Sequence, residues 1–352
     1  MKALVTGAAG FIGAAVAEAM IIRGDIVIGV DNLNDYYDVN LKHARLKHLG
    51  QLGGSFDFRQ IDVTDVTTLQ SLFRTESFDV VIHLAAQAGV RDSINNPMDF
   101  VQNNLVGFTC VLEACRKYPV KHLVYASSSS VYGHNNNEQF SIDDRSDHPV
   151  SFYAATKKAN ELMAHSYAHL YKTPTTGLRF FTVFGPWGRP DMAPMLFANS
   201  ILSGKPIQIF NNGNMKRDFI FIDDIVNGVL QILEMPPHKN PIRNSLGGAS
   251  LYHDVFNIGR GESVDLLEFI SILEQTLGRV AIKEFKGMQS GDVPMTCADI
   301  SRLAIELDYT PQVSIEEGVS RFGEWFKLWH KRGSIVDAQA VNASSLPLYL
   351  AR

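Results

Sequence analysis

The hydrophobic pattern of the first half of the chain alternates between short β-branched runs and longer amphipathic stretches. The apolar runs predict six strands, at 3–7, 26–31, 56–63, 80–86, 122–129 and 175–185. Helical patterns fall between them and include 11–23, 66–75, 98–117 and 153–172. Because strands that alternate with helices form right-handed βαβ units, the pattern predicts a parallel sheet buried on both faces. This is the doubly wound α/β architecture.

The alternation stops after residue 185, where proline and glycine cluster in "GPWGRPDMAP". Helical patterns then follow at about 192–203, 222–234, 264–277 and 314–332, with short strands and loops between them. We therefore predict one domain over 1–185 and a smaller mixed α/β lobe mainly over 186–335. Residues 336–352 have little periodicity and are expected to form a tail.

Composition excludes several classes of function. The chain has 352 residues, 45% of them hydrophobic, with a net charge of −5 and no block of like charge, which argues against nucleic acid or an anionic membrane as a partner. The sequence contains no apolar window of the roughly 18 residues that a membrane span needs and no secretory signal, so we expect a cytoplasmic protein. Cys110, Cys115 and Cys297 form no CxxC pair, and His165 and His169 lack a third ligand, so no metal site is predicted.

A glycine-rich turn follows the first predicted strand. In "VTGAAGFIG", Gly7, Gly10 and Gly13 stand where a strand passes into a helix, so the backbone can approach a pyrophosphate at the helix N-terminus. Asp31 ends the second strand, 18 residues beyond Gly13, near the spacing of a carboxylate that binds ribose hydroxyls. A carboxylate repels a 2′-phosphate. The motif therefore predicts a Rossmann domain that binds NAD in preference to NADP, although a purely structural glycine turn is the alternative.

Other cofactor contacts are expected at the carboxyl ends of the strands, where open α/β sheets bind ligands. Asp62 closes the third strand and could reach the adenine amino group, or it could be the N-cap of the following helix. The remaining candidates are Phe11, Ile12, Asn32, Asn34, Val63, Leu84, Ala85, Ala86, Gln87, Asn104 and Phe180.

Tyr153 and Lys157, in "YAATK", share one face of a predicted helix. A nearby lysine favours the phenolate, so we predict that Lys157 lowers the pKa of Tyr153, and the positive charge of an oxidised nicotinamide acts in the same direction. With a serine from "SSSS" at 127–130, Tyr153 could then act as a general base on a substrate hydroxyl. The alternative is a solvated helix face.

These motifs carry a family resemblance. "TGAAGFIG", "SSSSVYG" and "YAATK" together resemble the extended short-chain dehydrogenase/reductase family, in particular its nucleotide-sugar epimerases and dehydratases. The likeness covers nearly the whole chain, including "RDFIFIDDIV" and "GDVPMTCAD". In that family the catalytic Ser or Thr lies three residues before Val-Tyr-Gly, which identifies Ser128. The resemblance implies that Ser128, Tyr153 and Lys157 are catalytic and that NAD stays tightly bound and is regenerated in each turnover.

The residues after Ser128 narrow the implied reaction. Dehydratases of the family carry Asp-Glu there and its decarboxylases carry a Glu, whereas this chain has Ser129 and Ser130, which leaves epimerisation. "HLAAQAGVRDS", "DNLNDYYDVNLKHARL" and "LRFFTVFGPWGRPDM" resemble the UDP-glucuronate 4-epimerase group, and Thr182 stands where UDP-glucose epimerases carry Asn. The implied reaction is reversible: hydride leaves C4, the 4-keto sugar rotates, and hydride returns. A 4-epimerase of UDP-glucose or a UDP-N-acetylhexosamine, or a catalytically silent NAD-binding regulator, are the alternatives.

The resemblance also implies how the substrate binds. Arg189 and Arg217 would contact the diphosphate and Asp292 the uridine ribose, against the alternatives of surface salt bridges and a turn cap. For Arg91 a salt bridge and a substrate contact are equally expected. Neutral hydroxyls of Ser129, Ser130 and Thr182 would bind the sugar carboxylate.

The family's members often pair through two helices that correspond to 98–117 and 153–172, so we expect a homodimer. The aromatic stripe of the last helix is predicted to be core: Phe322, Trp325, Phe326 and Trp329.

Overall fold

The main sheet has seven strands that are all parallel to their neighbours. The computed structural model describes residues 1–135, 137–239, 251–289 and 291–333, and the predicted tail at 336–352 lies outside them. The strands of the main sheet are β1 (Lys2–Thr6), β2 (Ile26–Asp31), β3 (Phe56–Gln60), β4 (Val80–His83), β5 (His122–Ser128), β6 (Thr175–Phe180) and β11 (His253–Ile258). Their order is β11-β6-β5-β4-β1-β2-β3. This order confirms the doubly wound prediction, because it contains the Rossmann order 3-2-1-4-5-6.

Helices cover both faces of this sheet and form most of the remaining structure. They are α1 (Phe11–Ile22), α2 (Val39–Gly50), α3 (Val66–Glu76), α4 (Asp92–Asn95), α5 (Pro97–Phe100), α6 (Gly107–Lys117), α7 (Phe152–Tyr171), α8 (Ala193–Ser203), α9 (Ile222–Glu234), α10 (Leu266–Leu277), α11 (Ser301–Leu307) and α12 (Ile315–Gly333). A π-helical turn, Val101–Val106, joins α5 to α6. Side chains at Asp38, Asp65, Ser151 and Asp265 accept a hydrogen bond from the first turn of a helix and so fix where four of these helices begin.

The apolar side chains of the sheet pack into two layers. One cluster joins the sheet to α1, α8, α9, α10 and α12, and a second joins it to α3 and α6. Ala3, Leu4 and Val5 are consecutive and wholly buried, which is the pattern of a strand covered on both faces. The predicted aromatic core of the last helix is confirmed, because Phe322 and Trp325 are almost completely buried. No helix among the described residues is long and apolar enough to cross a membrane.

The prediction of one strand over 175–185 was wrong. β6 ends at Phe180, and the chain then forms β7 (Thr182–Phe184), which pairs with β10 (Phe219–Phe221) outside the main sheet. Phe181 N still donates to Ile258 O, whereas Thr182 N donates to Asp218 O, so the hydrogen-bonding partner changes between two adjacent residues. Strands three, four and five also end before the predicted 63, 86 and 129, and a π turn interrupts the helix predicted at 98–117.

A smaller set of strands lies beyond β7. β8 (Pro206–Ile209) pairs with β13 (Ile282–Phe285), and β9 (Lys216–Arg217) pairs with β12 (Val264–Asp265). β11, which comes from the same part of the chain, instead completes the main sheet beside β6. The boundary predicted at residue 185 remains a prediction, and one later strand crosses it.

Candidate active site

The glycine positions of the turn between β1 and α1 have no room for a Cβ atom. Gly7 has a φ of +72°, a conformation that favours glycine, and a Cβ there would lie 2.7 Å from Ala85 N. A Cβ at Gly13 would lie 2.0 Å from Gly7 O, so the first turn of α1 can pack on the loop only because residue 13 is glycine. The tight turn leads directly into the N-terminus of a twelve-residue helix. This backbone fits a pyrophosphate bound at a helix N-terminus.

Asp31 is tied to the same turn. Its Oδ2 accepts a hydrogen bond from Ala9 N at 3.2 Å, and its Oδ1 accepts one from Leu33 N at 2.8 Å. The carboxylate is 8% exposed, and Lys42 Nζ lies 3.8 Å from it. Since an ionised carboxylate has about four acceptor positions, Asp31 retains capacity for ribose hydroxyls while holding the turn.

Asp62 is fixed by neighbouring polar groups at the end of the third strand. It accepts hydrogen bonds from Asn32 Nδ2 at 2.9 Å and from Thr64 N at 2.8 Å. Burial alone would raise the pKa of Asp62, but the hydrogen bonds from Asn32 and Thr64 outweigh it and lower that pKa. The alternative that Asp62 is the N-cap of the next helix was wrong, because Asp65 occupies that position.

The loop after β4 is held by the predicted cofactor residue Asn104. Asn104 lies in the π turn, its Oδ1 accepts from Gln87 N at 2.8 Å, and its Nδ2 donates to Gln87 O and to Thr156 Oγ1. Its side-chain amide is therefore used to hold the loop, and a direct contact with the cofactor stays a prediction. Ala85 N donates to Thr6 Oγ1, which joins the same loop to β1.

The other cofactor candidates surround this edge of the sheet. Asn34 accepts two hydrogen bonds from Lys42 Nζ, through its main-chain oxygen and its Oδ1. Five candidates are partly exposed or half-buried, and three are buried in the apolar core. The first group is Ile12, Asn32, Leu84, Ala85 and Ala86, and the second is Phe11, Val63 and Phe180. Their contacts with a cofactor stay predictions.

The predicted catalytic residues come together from β5 and α7. Ser128 is the last residue of β5, and Tyr153 lies in the first turn of α7, which is capped by Ser151. Ser128 and Tyr153 are hydrogen-bonded through their side chains. Lys157, one turn further along α7, is 4% exposed; its Nζ donates to Ala126 O at 3.0 Å and lies 6.0 Å from the centre of the Tyr153 ring.

Among the groups of the protein itself, without a cofactor, the prediction that Lys157 lowers the pKa of Tyr153 was wrong. Burial raises the pKa of Tyr153 above its ordinary value, and the hydrogen bond with Ser128 and the charge of Arg189 oppose this rise only in part. Burial likewise lowers the pKa of Lys157 to about 8. Sequence spacing placed the two groups together correctly, but it contained no information about how deeply both are buried.

Neutral hydroxyl groups follow Ser128. Ser129 and Ser130 begin a 3₁₀ turn, and Ser130 Oγ donates to Ser128 Oγ at 2.9 Å. Thr182, the third predicted hydroxyl, is half-buried at the start of β7. No ionised side chain of this short turn adjoins Ser128, since Ser129, Ser130 and Val131 are all neutral.

Three predicted substrate residues form one charged group at the lobe. Arg91 Nη2 pairs with Asp292 Oδ2 at 3.1 Å, so Arg91 forms a salt bridge, and its contact with substrate stays a prediction. Arg217 Nη1 donates to Pro294 O at 3.2 Å. Burial lowers the pKa of Arg217, Asp292 raises it and Arg91 lowers it, so the three charges act on one another. Such a cluster can receive an anion next to a carboxylate.

Arg189 is half-buried and lies close enough to Tyr153 for the two groups to affect each other's pKa. It forms a two-point ion pair with Asp191, with 3.1 Å between Arg189 Nε and Asp191 Oδ1. Its guanidinium lies 5.9 Å from the ring of Tyr36. Burial would lower the pKa of Arg189, but Asp191 outweighs it and raises that pKa. The contacts of Arg189 with Asp191 and Tyr36 were not predicted, although Tyr36 lies in a segment quoted above for its resemblance.

The fold and the site together define a class of protein. A doubly wound sheet, a glycine turn with Asp31 beside it, and a hydrogen-bonded Ser128–Tyr153 pair near Lys157 at the carboxyl edge define a dinucleotide-binding α/β enzyme of the Ser-Tyr-Lys type. Among the residues that the structure describes, no group of three His, Cys, Asp or Glu side chains could hold a metal.

The chain belongs to the NAD dependent epimerase/dehydratase family, whose family model matches residues 3–259. It is 46% identical over 336 residues to Protein CapI of Staphylococcus aureus, with 94% of this chain and all of that protein covered. UDP-glucuronate 4-epimerase 2 of Arabidopsis thaliana is 45% identical over 338 residues, which are 95% of this chain and 77% of that one. The crystal structure of UDP-glucuronic acid 4-epimerase from Bacillus cereus with UDP-glucuronic acid and NAD has a TM-score of 0.84 and 34% identity, and covers 94% of this chain and 100% of that one.

Proposed function

We propose that this protein is an NAD-dependent 4-epimerase that interconverts UDP-glucuronate and UDP-galacturonate. The observation that carries the proposal is the hydrogen-bonded Ser128–Tyr153 pair, followed by neutral Ser129 and Ser130 rather than by an acid. The likeness to the Arabidopsis thaliana and Bacillus cereus enzymes, both named for this reaction, supports the choice of substrate.

The residues of the glycine turn fit NAD. Gly7, Gly10 and Gly13 allow the tight turn that would bring the helix N-terminus to the pyrophosphate, and Asp31 offers carboxylate oxygens to the ribose hydroxyls. When bound, NAD accepts a hydride from the sugar carbon and later returns it. The negative charge of Asp31 disfavours a 2′-phosphate, which makes NADP the poorer ligand. Asn32, Asp62 and the loop at 84–87 would complete this half of the site.

Tyr153 moves the proton. It removes the proton of the C4 hydroxyl, and it returns a proton to the C4 oxygen after the keto sugar has turned over in the site. Ser128 shares the hydrogen bond to that oxygen. Lys157, with a pKa of about 8, is mostly protonated at neutral pH, and its Nζ lies 6.0 Å from the centre of the Tyr153 ring.

Charged groups on both sides of the site would hold the nucleotide. Arg189 and Arg217 suit the diphosphate because guanidinium groups bind phosphate oxygens at two points. Asp292 would accept a hydrogen bond from the uridine ribose. Arg91, paired with Asp292, would orient that carboxylate. Hydroxyls of the residues Ser129, Ser130 and Thr182 would bind the sugar carboxylate without adding charge.

The functional division of the chain and its assembly are part of the proposal. The part at 1–185 would bind the cofactor and carry the catalytic residues, and 186–335 would bind mainly the nucleotide sugar. α7 exposes Leu162 at 63% and Leu170 at 62%, and Met98 and Val106, in the segment before α6, are exposed at 71% and 39%, which supports a homodimer through this face. Light scattering should give twice the chain mass, and Leu162→Glu should reduce it to one chain mass.

A product assay tests the reaction. Purified protein should convert UDP-glucuronate to UDP-galacturonate without added NAD, because the cofactor stays bound through each turnover. Tyr153→Phe should reduce kcat by about 10²–10⁴-fold, the usual contribution of a general base, and should retain NAD. Tyr171→Phe, on the exposed end of the same helix, is the matched control. Turnover of UDP-glucose but not UDP-glucuronate would contradict the proposal.

A further inference from the structure

Arg45 is a buried arginine that none of the functional predictions used. It lies in α2 and is 1% exposed, and within the part of the chain that the structure describes it makes five hydrogen bonds, none of them to a carboxylate. Nη1 donates to Ala9 O at 2.8 Å and to Tyr37 Oη at 2.7 Å. Nε and Nη2 donate to Trp187 O at 3.2 and 2.6 Å, and Nη2 also reaches Gly188 O at 3.3 Å. A buried cation is costly, so a site that satisfies all its donors with neutral oxygens is a specific arrangement.

The oxygens that Arg45 contacts belong to two turns of different function. Ala9 lies in the glycine turn, and its N–H donates to Asp31 while its oxygen accepts from Arg45, so both main-chain polar groups of this residue are hydrogen-bonded. Trp187 and Gly188 directly precede Arg189. One guanidinium group therefore joins the turn proposed for the cofactor pyrophosphate to the turn that carries the arginine proposed for the diphosphate.

The second turn has an unusual backbone that needs support. Trp187 has a φ of +64°, which bulky residues rarely adopt and which persists only where surrounding contacts hold it. Its ring packs against Trp325 and Trp329, with ring centres 5.5 and 5.4 Å away. The ring is thus fixed by the last helix, while its carbonyl oxygen is fixed by Arg45.

We propose that Arg45 is a positioning residue that sets the place of Arg189 relative to the cofactor turn, and so couples binding of the nucleotide diphosphate to the bound dinucleotide. The proposal rests on the proposed function in assigning Arg189 to the diphosphate. The planar fork of arginine is required, because its nitrogens reach both turns at once, whereas the single ammonium group of lysine cannot.

A double-mutant cycle tests the coupling. UDP is titrated calorimetrically into the NAD-bound protein for the wild type, Arg45→Lys, Arg189→Gln and the double variant. Each single variant should bind UDP about tenfold more weakly. The double variant should be no more than about threefold weaker than Arg189→Gln, because the effect of Arg45 acts through Arg189. In steady-state turnover, Arg45→Lys should raise KM about tenfold and leave kcat within about threefold.

Additive losses, near a hundredfold in the double variant, would overturn the proposal, as would an unchanged UDP affinity in Arg45→Lys. Arg302→Lys, in an ion pair with Asp254, is the control for a loss of stability without a change in UDP affinity. If Arg45→Lys does not fold, Tyr37→Phe removes one acceptor of the guanidinium and should weaken UDP binding about threefold, but only while Arg189 is present; an equal loss in the Arg189→Gln background would reject the coupling.

UDP binding distinguishes this proposal from the proposed function. A wild-type protein that binds UDP with the predicted coupling but does not convert UDP-glucuronate would reject the proposed reaction and retain the role of Arg45. A protein that converts UDP-glucuronate and shows additive losses would retain the reaction and reject the role of Arg45.

Discussion

Replacing Lys157 by methionine should stabilise the folded protein. The same replacement should inactivate the enzyme. The ammonium group of Lys157 is 4% exposed, and its Nζ hydrogen bond goes to Ala126 O rather than to a carboxylate. Burial lowers the pKa of Lys157 from 10.5 to about 8. The folded protein therefore holds this proton less tightly than the unfolded chain does, and the charge reduces stability at neutral pH.

The size of the effect follows from the pKa difference. A pKa difference of about 2.5, at roughly 1.4 kcal/mol for each pKa unit, corresponds to about 3–4 kcal/mol of destabilisation by the charge. Methionine has a similar length and no charge, but it loses the hydrogen bond to Ala126 O, which is worth about 1.5 kcal/mol. We therefore expect Lys157→Met to raise the free energy of unfolding by about 2 kcal/mol at pH 7.

The pH dependence gives the sharper test. Below pH 8 Lys157 is protonated in both states, and the whole cost is present. Between pH 8 and 10.5 the unfolded chain binds the proton and the folded protein has lost it, so wild-type stability rises with pH and the advantage of methionine shrinks. Urea unfolding of NAD-free wild-type and Lys157→Met protein between pH 7 and 9.5 measures this difference in the free energy of unfolding. Lys158→Met, its partly exposed neighbour paired with Glu161, is the control and should not stabilise. A destabilised Lys157→Met protein at pH 7, or a pH-independent difference, would refute the reasoning.

Three further predictions concern the core and the glycine turn. Glu161→Gln should lower the free energy of unfolding by about 3–5 kcal/mol because it leaves buried Arg179 without its carboxylate. Arg179 outweighs burial and lowers the pKa of Glu161, so the wild type loses this stabilisation in acid. Urea unfolding should therefore show a difference in unfolding free energy between wild type and variant at neutral pH, and this difference should decrease as the pH falls. Gly13→Ala should purify without NAD, measured by absorbance after denaturation. Gly50→Ala should retain NAD, because a Cβ there would meet no atom of the described residues within 4 Å beyond its own helix turn. Asp31→Ala should weaken NAD about tenfold and narrow its preference over NADP in titrations; unchanged NAD affinity would reject the ribose assignment.

Apart from β3, an edge strand with no buried residue, the strands of the first half could be predicted because strands buried on both faces are continuous apolar runs. The end of β6 could not, since "RFFTVFG" stays apolar while the hydrogen-bonding partner changes from Ile258 to Asp218. β11 was missed as a member of the main sheet for a related reason. Its partner β6 lies far away in sequence, and periodicity does not identify which strand will be a neighbour.

In the site too, contacts between residues that are close in sequence could be predicted, and contacts between distant residues could not. Gly7, Gly13 and Asp31 were predicted because a local turn and the end of one strand bring them together. Arg45 was not, since its partner Trp187 is 142 residues away and lysines and arginines are common on helix surfaces. Only the three-dimensional structure shows that this particular arginine is inside.

The raised pKa of Tyr153 changes how the proposed base must work. Burial outweighs the hydrogen bond with Ser128 and the charge of Arg189, so the phenol on its own is a poorer base than an exposed tyrosine. Under the proposed function, the positive charge of an oxidised nicotinamide must supply the missing stabilisation of the phenolate. Tyr153 would then become an effective base only beside oxidised cofactor and would hold its proton beside the reduced form. The same pocket therefore favours proton removal at the start of a turnover and proton return at its end, provided that the cofactor never leaves.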